Sequence, residues 1–175
     1  MSKPKPSLPV KPVVSLIMAA DFSEPVIRRL AEYFGPPDML GPWVPFTHTE
    51  YYDREMGPGL GRRLAVFLHL ADPAHLPRWK LFTNRVEDDF RLGGRRLVNL
   101  DPGYLGKERL VLATGKNYIH RLYLGEGIYG DLTLIYSKGD FQALPWSYPD
   151  YAAGELPALL ALIRRKYLWQ LQSLA

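Results

Sequence analysis

VVSLIMAADFSEPVIRRLAEYFG, residues 13–35, decides the fold. Its first eight residues form a short apolar run with β-branched members, ended by Asp21, which predicts a buried strand over 13–20. The stretch then changes period. Ser23 stands where an N-cap belongs, Glu24 and Pro25 occupy a first turn, and Gly35 follows the end. Val26, Ile27, Leu30, Tyr33 and Phe34 fall on one face of the predicted helix. A strand feeding directly into an amphipathic helix is the start of an α and β layered domain.

Downstream the same pattern recurs. PPDMLGPWVPF reads as an interrupted extended segment whose prolines suit an edge, and residues 47–61, THTEYYDREMGPGLG, as a polar loop rich in glycine. RRLAVFLHLA (62–71) predicts a second strand. Asp72-Pro73 opens a helix over about 73–92, with Leu76, Trp79, Lys80, Phe82, Thr83, Val86 and Phe90 at helical spacing and Gly93-Gly94 as the stop. RRLVNLD (95–101) is a strand. Pro102-Gly103 after it predicts a type II turn, the proline setting φ near −65° and the glycine taking φ > 0. The remainder is β-rich: RLVLAT, HRLYL, GDLTLIY and a shorter FQALPW, separated by turn signals, before an amphipathic helix over about 155–172.

Strand–helix–strand repeated twice predicts an α+β domain with a two-layer, ferredoxin-like (split β-α-β) core. An antiparallel β extension and a C-terminal helix complete it. Right-handed crossovers would place both early helices on one sheet face. The basic, Pro-rich start predicts a flexible N-terminal arm over 1–12, followed by a single domain over 13–175.

Composition narrows the function classes. With 175 residues, 47% hydrophobic and 23% charged, the chain is long enough to bury a core of its own. The absence of cysteine removes disulfides, thiolate metal sites and cysteine nucleophiles, and fits a cytoplasmic protein. The start carries no signal-peptide core, and VVSLIMAA is far too short to cross a membrane. A net charge of +4 can favour anionic partners, but with most Lys and Arg interleaved with acids it reads as a solvated mixed surface, far from the dense basic stripe of a dedicated nucleic-acid binder.

Three motifs fail on context. GEGIYG (125–130) matches G-x-G-x-x-G, but the dinucleotide fingerprint needs a helix after it, and DLTLIY is strand-like. GPGLGRR (57–63) is no phosphate loop, because Lys-Ser/Thr and a following helix are missing. It keeps the makings of an anion nest. His48, His69, His75 and His120 lack metal-ligand spacing, so no metal site is predicted. His69 reads as a core residue within its strand. There is no G-x-S-x-G elbow.

Polar and aromatic residues concentrate in four places: THTEYYDRE (47–55), NLDPGY (99–104), KNYIHR (116–121) and LPWSYPDY (144–151). All lie at strand ends or in loops, where sites are usually carried. Aromatics beside charged groups can stack on a flat ligand while the charges orient it. In an enzymatic version His48 or His120 is the general acid/base, Asp101 its orienter or a metal ligand, and Arg121 an anion clamp. Glu50, Tyr52, Asp53, Tyr104 and Lys116 complete the ligand-binding set. The alternative is a non-catalytic module for RNA or protein. Aromatics on such sheets meet bases, although the RNP1 pattern is absent. Trp169 and Leu171 on the C-terminal helix are candidates for an oligomer contact. No motif names a cofactor.

Several segments together carry a resemblance. They are MAADFSEPVIRRLAEYFGP, FTHTEYYDREMGPGL, LFTNRVEDDF, NLDPGYL, LVLATGKNYIHRLYL and GIYGDLTLIYSKGDFQALPWSYPDY. In this order they resemble a bacterial and archaeal family of about this length, classified as a domain of unknown function. The resemblance spans nearly the whole chain, with NLDPGY and PWSYPDY its most recognisable parts. Members are sometimes labelled GTP-binding protein. A GTPase needs a phosphate loop and a guanine-specifying N-K-x-D, and this chain has neither. The resemblance therefore implies a family and no activity.

Overall fold

The computed structural model describes residues 2–47, 52, 55–152 and 155–174, without the side chains of residues 150 and 152. In chain order the elements are β1 (Lys11–Met18), α1 (Ser23–Phe34), β2 (Pro37–Leu40), β3 (Val44–Pro45), β4 (Gly61–Phe67), α2 (Leu76–Asp89), β5 (Arg91–Leu92), β6 (Arg95–Arg96), β7 (Val98–Leu105), β8 (Arg109–Thr114), β9 (Arg121–Gly125), β10 (Ile128–Ser137), β11 (Asp140–Ala143), α3 (Pro149–Ala152) and α4 (Leu156–Gln172). It is a mixed α+β domain built on one large antiparallel sheet, with a C-terminal helix.

Nine strands form that sheet among the described residues, in the order β11-β10-β8-β7-β1-β4-β2, with β3 added on β4 and β9 on β10. Each neighbouring pair is antiparallel. β1 and β2 both pair with β4, so they run parallel to each other across it, joined by α1. In the same way β4 and β7 run parallel across β1, joined by α2.

Alternation along β1 explains the layers. Val14, Leu16 and Met18 face a core that includes Val26, Leu30 and Phe34 of α1 and Leu76, Trp79, Phe82 and Val86 of α2. Val13 faces the other way, into a core with Leu64, Val66, Leu112 and Leu160, Ile163 and Tyr167 of α4. Successive strand residues point to opposite faces, and both faces of this strand are apolar. α4 covers the second face, so the layering is helix–sheet–helix instead of the two layers predicted.

Several boundaries depart from the sequence reading, each for a physical reason. β1 starts at Lys11, inside the predicted arm, and Val10 already bridges Ala71. Ser23 is not an N-cap: a 3-10 turn over Ala20–Phe22 leads into α1, and Ser23 Oγ instead accepts from Arg63 at 3.3 Å. Gly35, at φ +81°, ends α1 as expected. β4 stops at Phe67 and His69 is exposed, so His69 is no core residue. Asp72 does cap, accepting from Ala74 N at 2.8 Å, but over a 3-10 turn before α2.

The largest correction concerns DPGY. β7 runs straight through it, with Pro102 opposite Val14 and Gly103 between Val13 and Leu112. Gly103 has no positive φ; the glycine is required because a Cβ there would meet the Val111 carbonyl oxygen at 2.3 Å. Pro102 is tolerated because pairing with β8 begins only at Gly103. The sequence signal for a turn is thus a signal for a close-packed strand end.

A candidate functional site on the α4 face of the sheet

α2 carries a polar stripe, Lys80–Thr83–Glu87, at i, i+3, i+7 beside its apolar face, and all three residues are buried. Its purpose lies in β7. Over residues 98–102 that strand has β1 on one side and no β8 on the other, which would leave Leu100 with an open backbone edge. Glu87 Oε1 accepts from Leu100 N at 2.7 Å, and Lys80 Nζ donates to Leu100 O at 2.7 Å. Two side chains thus stand in for the missing strand, satisfying groups that would otherwise be buried and unpaired.

The network continues onto the other face. Lys80 Nζ lies 3.3 Å from Asp101 Oδ1 and 3.7 Å from Glu87 Oε1. Asn99 Nδ2 donates to Asp101 Oδ2 at 2.8 Å, while Asn99 Oδ1 accepts from Arg96 at 3.0 Å. Arg96 also pairs with Glu87 at 3.1 Å and Glu55 at 2.9 Å. Burial pushes the Glu87 carboxyl up, more than Lys80, the Leu100 amide and Arg96 pull it down. Burial works against the Arg96 charge, but Glu55 and Glu87 outweigh it and hold the guanidinium above its ordinary value.

Asp101 is the cross-strand partner of Ser15, and Asn99 of Ile17. Partners in register share a face, so these polar groups lie on the α4 side. Beside them Ile17 packs with Phe46, Met56, Leu60 and Tyr52. Arg96 lies 5.9 Å from the Tyr52 ring centroid. The Tyr52 phenol is pushed up to about 12, first by burial and then by the negative charge of Asp101 and by Tyr148. The Arg62 guanidinium lies over Phe46 at 5.0 Å and Tyr151 at 4.9 Å. A cavity of about 70 Å³ opens beside it, lined by Ser15, Phe46, Arg62, Leu64, Tyr151 and Leu159 among others.

A second polar group occupies the β9–β10 end of the sheet. His120 Nε2 lies 3.1 Å from Asp131 Oδ2, and Arg121 Nε donates to the same oxygen at 2.9 Å. The His120 ring stacks on Trp146 at 4.9 Å and 9°, with Tyr118 edge-on at 5.4 Å. Its side chain is 5% exposed, and Nδ1 is buried without a hydrogen-bond partner. Trp146 is tied down by donating to Leu132 O at 2.9 Å.

The predicted site residues are placed as follows. Asp101 and Tyr52 meet in the Arg96 cluster. Tyr104, three residues from Asp101, points to the opposite face, where it packs against the α1/α2 core. DPGY thus divides between two faces. His120 and Arg121 share Asp131, so the carboxylate on His120 is Asp131 and not Asp101. Both Asp101 oxygens face other partners, Lys80 and Asn99. Arg121 is engaged by Asp131 and the Lys116 carbonyl, which takes up much of a clamp's hydrogen-bonding capacity. Lys116 is exposed on the turn before β9. His48, Glu50 and Asp53 lie outside the described residues. Among the described residues, no group of three or more His, Asp or Glu side chains could hold a metal ion.

Sequence reasoning missed Lys80, Glu87, Arg96, Asn99 and Asp131. The signal for two of them was legible: a Lys and a Glu seven residues apart on the buried face of a helix. Asp131 and Thr133 in an otherwise apolar strand were a comparable sign. GEGIYG resolves as read. Gly125, Glu126 and Gly127 all have positive φ and make the β9–β10 hairpin, not a nucleotide loop.

Among the described residues no helix is long and apolar enough to cross a membrane. No curated protein and no solved structure matches the chain. One family model does match, over residues 8–167, and its span takes in every strand and the buried part of α4. With β1, the α2 stripe, the NLDPGY strand and the PWSYPDY segment all inside that span, the chain belongs to the family described as Domain of unknown function (DUF4416).

Proposed function

We propose that this domain binds a small anionic, nucleotide-like molecule on the α4 face of the sheet, at Arg62 beside Phe46, Tyr52 and Tyr151. The observation that carries the reading is the half-buried Arg62 guanidinium, held over the Phe46 and Tyr151 rings in the lining of a cavity. A guanidinium held over a ring in low dielectric attracts an anion more strongly than a solvated one. Phe46, Tyr52 and Tyr151 offer flat apolar surface for a base or another ring, and Ser15 offers a polar contact in the lining.

The fold supports the same placement. The order β7-β1-β4-β2, with α1 and α2 as the two connections, is what a ferredoxin-like split β-α-β core has. On this reading β8 to β11 and α4 are additions that roof one face and turn it into a pocket. The roofing by α4 weighs against an RNA-binding module, which needs that face open to stack bases. His120 is closed behind Trp146, so the proposal is for binding, with no reaction assigned.

Titration calorimetry with inorganic phosphate, AMP and GMP at low salt tests this. The expected result is binding that weakens as salt rises, and that falls at least about tenfold in Arg62→Gln with an unchanged circular dichroism spectrum. Absence of heat with all three probes, or equal affinity in the variant, would overturn it.

A further inference from the structure

Ser15 stands in the middle of β1 among Val13, Val14, Leu16, Ile17 and Met18, and it is 1% exposed. The buried threonines are satisfied within the fold: Thr83 Oγ1 donates to Lys80 O at 3.1 Å and Thr133 Oγ1 to Asp131 O at 3.2 Å. The Ser15 hydroxyl makes no hydrogen bond to any described residue. Its cross-strand partners supply none, since Leu64 is apolar and the two Asp101 oxygens accept from Lys80 and Asn99. A buried hydroxyl without a partner is unfavourable, and such groups in native structures call for an explanation. The space that Ser15 faces provides one, because Ser15 lines the Arg62 cavity.

Arg62 is two residues from Leu64 on β4, on the same face and diagonal to Ser15. Diagonal Cβ atoms are about 7–8 Å apart, a span that a long side chain reaches across. The cavity of about 70 Å³ is several times what one water needs and far short of a pocket that encloses a whole nucleotide. It therefore takes one end of the ligand. Resting on the ligand reading above, we infer that this end is the phosphate group, with Arg62 supplying the charge and the Ser15 hydroxyl donating a hydrogen bond. The flat part of the ligand then lies against the Phe46 and Tyr151 rings. Ser15 is the residue that separates an oxyanion from an apolar guest, which offers its hydroxyl no acceptor. Of the other charged residues in the lining, Arg63 is turned to Gly41 O at 2.8 Å and Ser23 Oγ at 3.3 Å, and Glu155 is exposed to solvent. The Asp101 charge on the far side of Ser15 is offset by Lys80 at 3.3 Å.

Ser15→Ala separates this role from a structural one, because the two predict opposite signs. It relieves the ligand-free protein of an unpaired buried hydroxyl and takes a donor from the bound anion. In urea denaturation without ligand, the expected result is a midpoint at or above that of the unaltered protein. In calorimetry, inorganic phosphate and AMP are expected to bind Ser15→Ala at least about tenfold more weakly. A lowered midpoint, or phosphate and AMP binding as tightly as before, would overturn the inference. Undiminished binding in Ser15→Ala together with lost binding in Arg62→Gln would overturn it alone and leave the ligand reading standing. Absence of phosphate, AMP and GMP binding to the unaltered protein would overturn both.

Discussion

Two buried ion clusters lie toward opposite ends of β1, and they are built on opposite principles. At its start, Lys11 is fully buried, 2.7 Å from Asp38, and donates to Leu68 O and Gln170 Oε1 at 3.1 and 2.8 Å. Lys166 of α4 takes the other Asp38 oxygen. Burial raises the Asp38 carboxyl, but hydrogen bonds and charge from two lysines outweigh it and leave it below its ordinary range. Burial draws Lys11 down despite Asp38. Toward the other end, Glu87 is held above its ordinary value. The first cluster has more cation than anion and clasps β1, β2 and α4 together. In the second, Glu55, Glu87 and Asp101 share Lys80 and Arg96 and adjoin Tyr52. A carboxylate with two cations is a fastening, whereas carboxylates that outnumber their cations are held at a cost that a site can use.

Removing an anion is the sharpest way to break this contrast. Asp38→Ala leaves Lys11 buried without its counter-charge, and urea denaturation is expected to find a loss of about 3–5 kcal/mol. A loss below about 1 kcal/mol would mean that the clasp does not hold α4 to the sheet. Gly103→Ala acts at the boundary of the second cluster, where the β8 ladder begins. Its Cβ would meet Val111 O at 2.3 Å and Leu112 Cδ2 at 2.6 Å, so a cost of about 1–3 kcal/mol is expected in the same measurement. Had Gly103 been the φ > 0 position of a turn, alanine would strain the backbone without touching β8. Hydrogen exchange along β8 separates the two, since only the packing account loosens Leu112. Glu87→Gln is expected to do least, within about 1 kcal/mol at neutral pH, because the amide keeps an acceptor for Leu100 N.

The two carboxylates also predict pH slopes of opposite sign. Asp38 has a folded pKa below its reference of 3.8, so its contribution is present above that pH and is lost as pH falls through the folded value. Glu87 has a folded pKa above its reference of 4.5, so its contribution is complete below 4.5 and is lost as pH rises through the folded value. In melts across the acid range, the deficit of Asp38→Asn should shrink as pH falls. Glu87→Gln should gain on the unaltered protein as pH rises above 4.5. Parallel curves for all three proteins would remove the distinction.

Much of the architecture was legible because period and punctuation agree in it. The 13–35 stretch yields β1 and α1 to within a few residues, and the glycine turns after β9 and β10 are where they were read. What misled was local chemistry settled by distant neighbours. Pro102-Gly103 has the composition of a turn, yet the approach of Val111 explains the glycine and the late start of β8 admits the proline. Ser23 has the composition of a cap, but Arg63 claims its hydroxyl. Asp101 and Tyr104 stand three residues apart in the sequence motif and on opposite faces in the sheet, a consequence of an odd separation on a continuous strand that a turn would have hidden. The partners of Asp101 and His120 come from helix and strand positions whose polarity was visible, but whose meeting points depend on strand order.

The central claim is that residues from the first loop, the NLDPGY strand and the PWSYPDY segment meet on one sheet face. The ring NMR titration of Tyr52, assigned with Tyr52→Phe and repeated in Asp101→Asn, tests it most directly. A tyrosine titrating at about 12 that moves down when the Asp101 charge is removed is the expected result. A Tyr52 that titrates at the ordinary value near 10 and ignores Asp101 would contradict the convergence on which the proposed site rests.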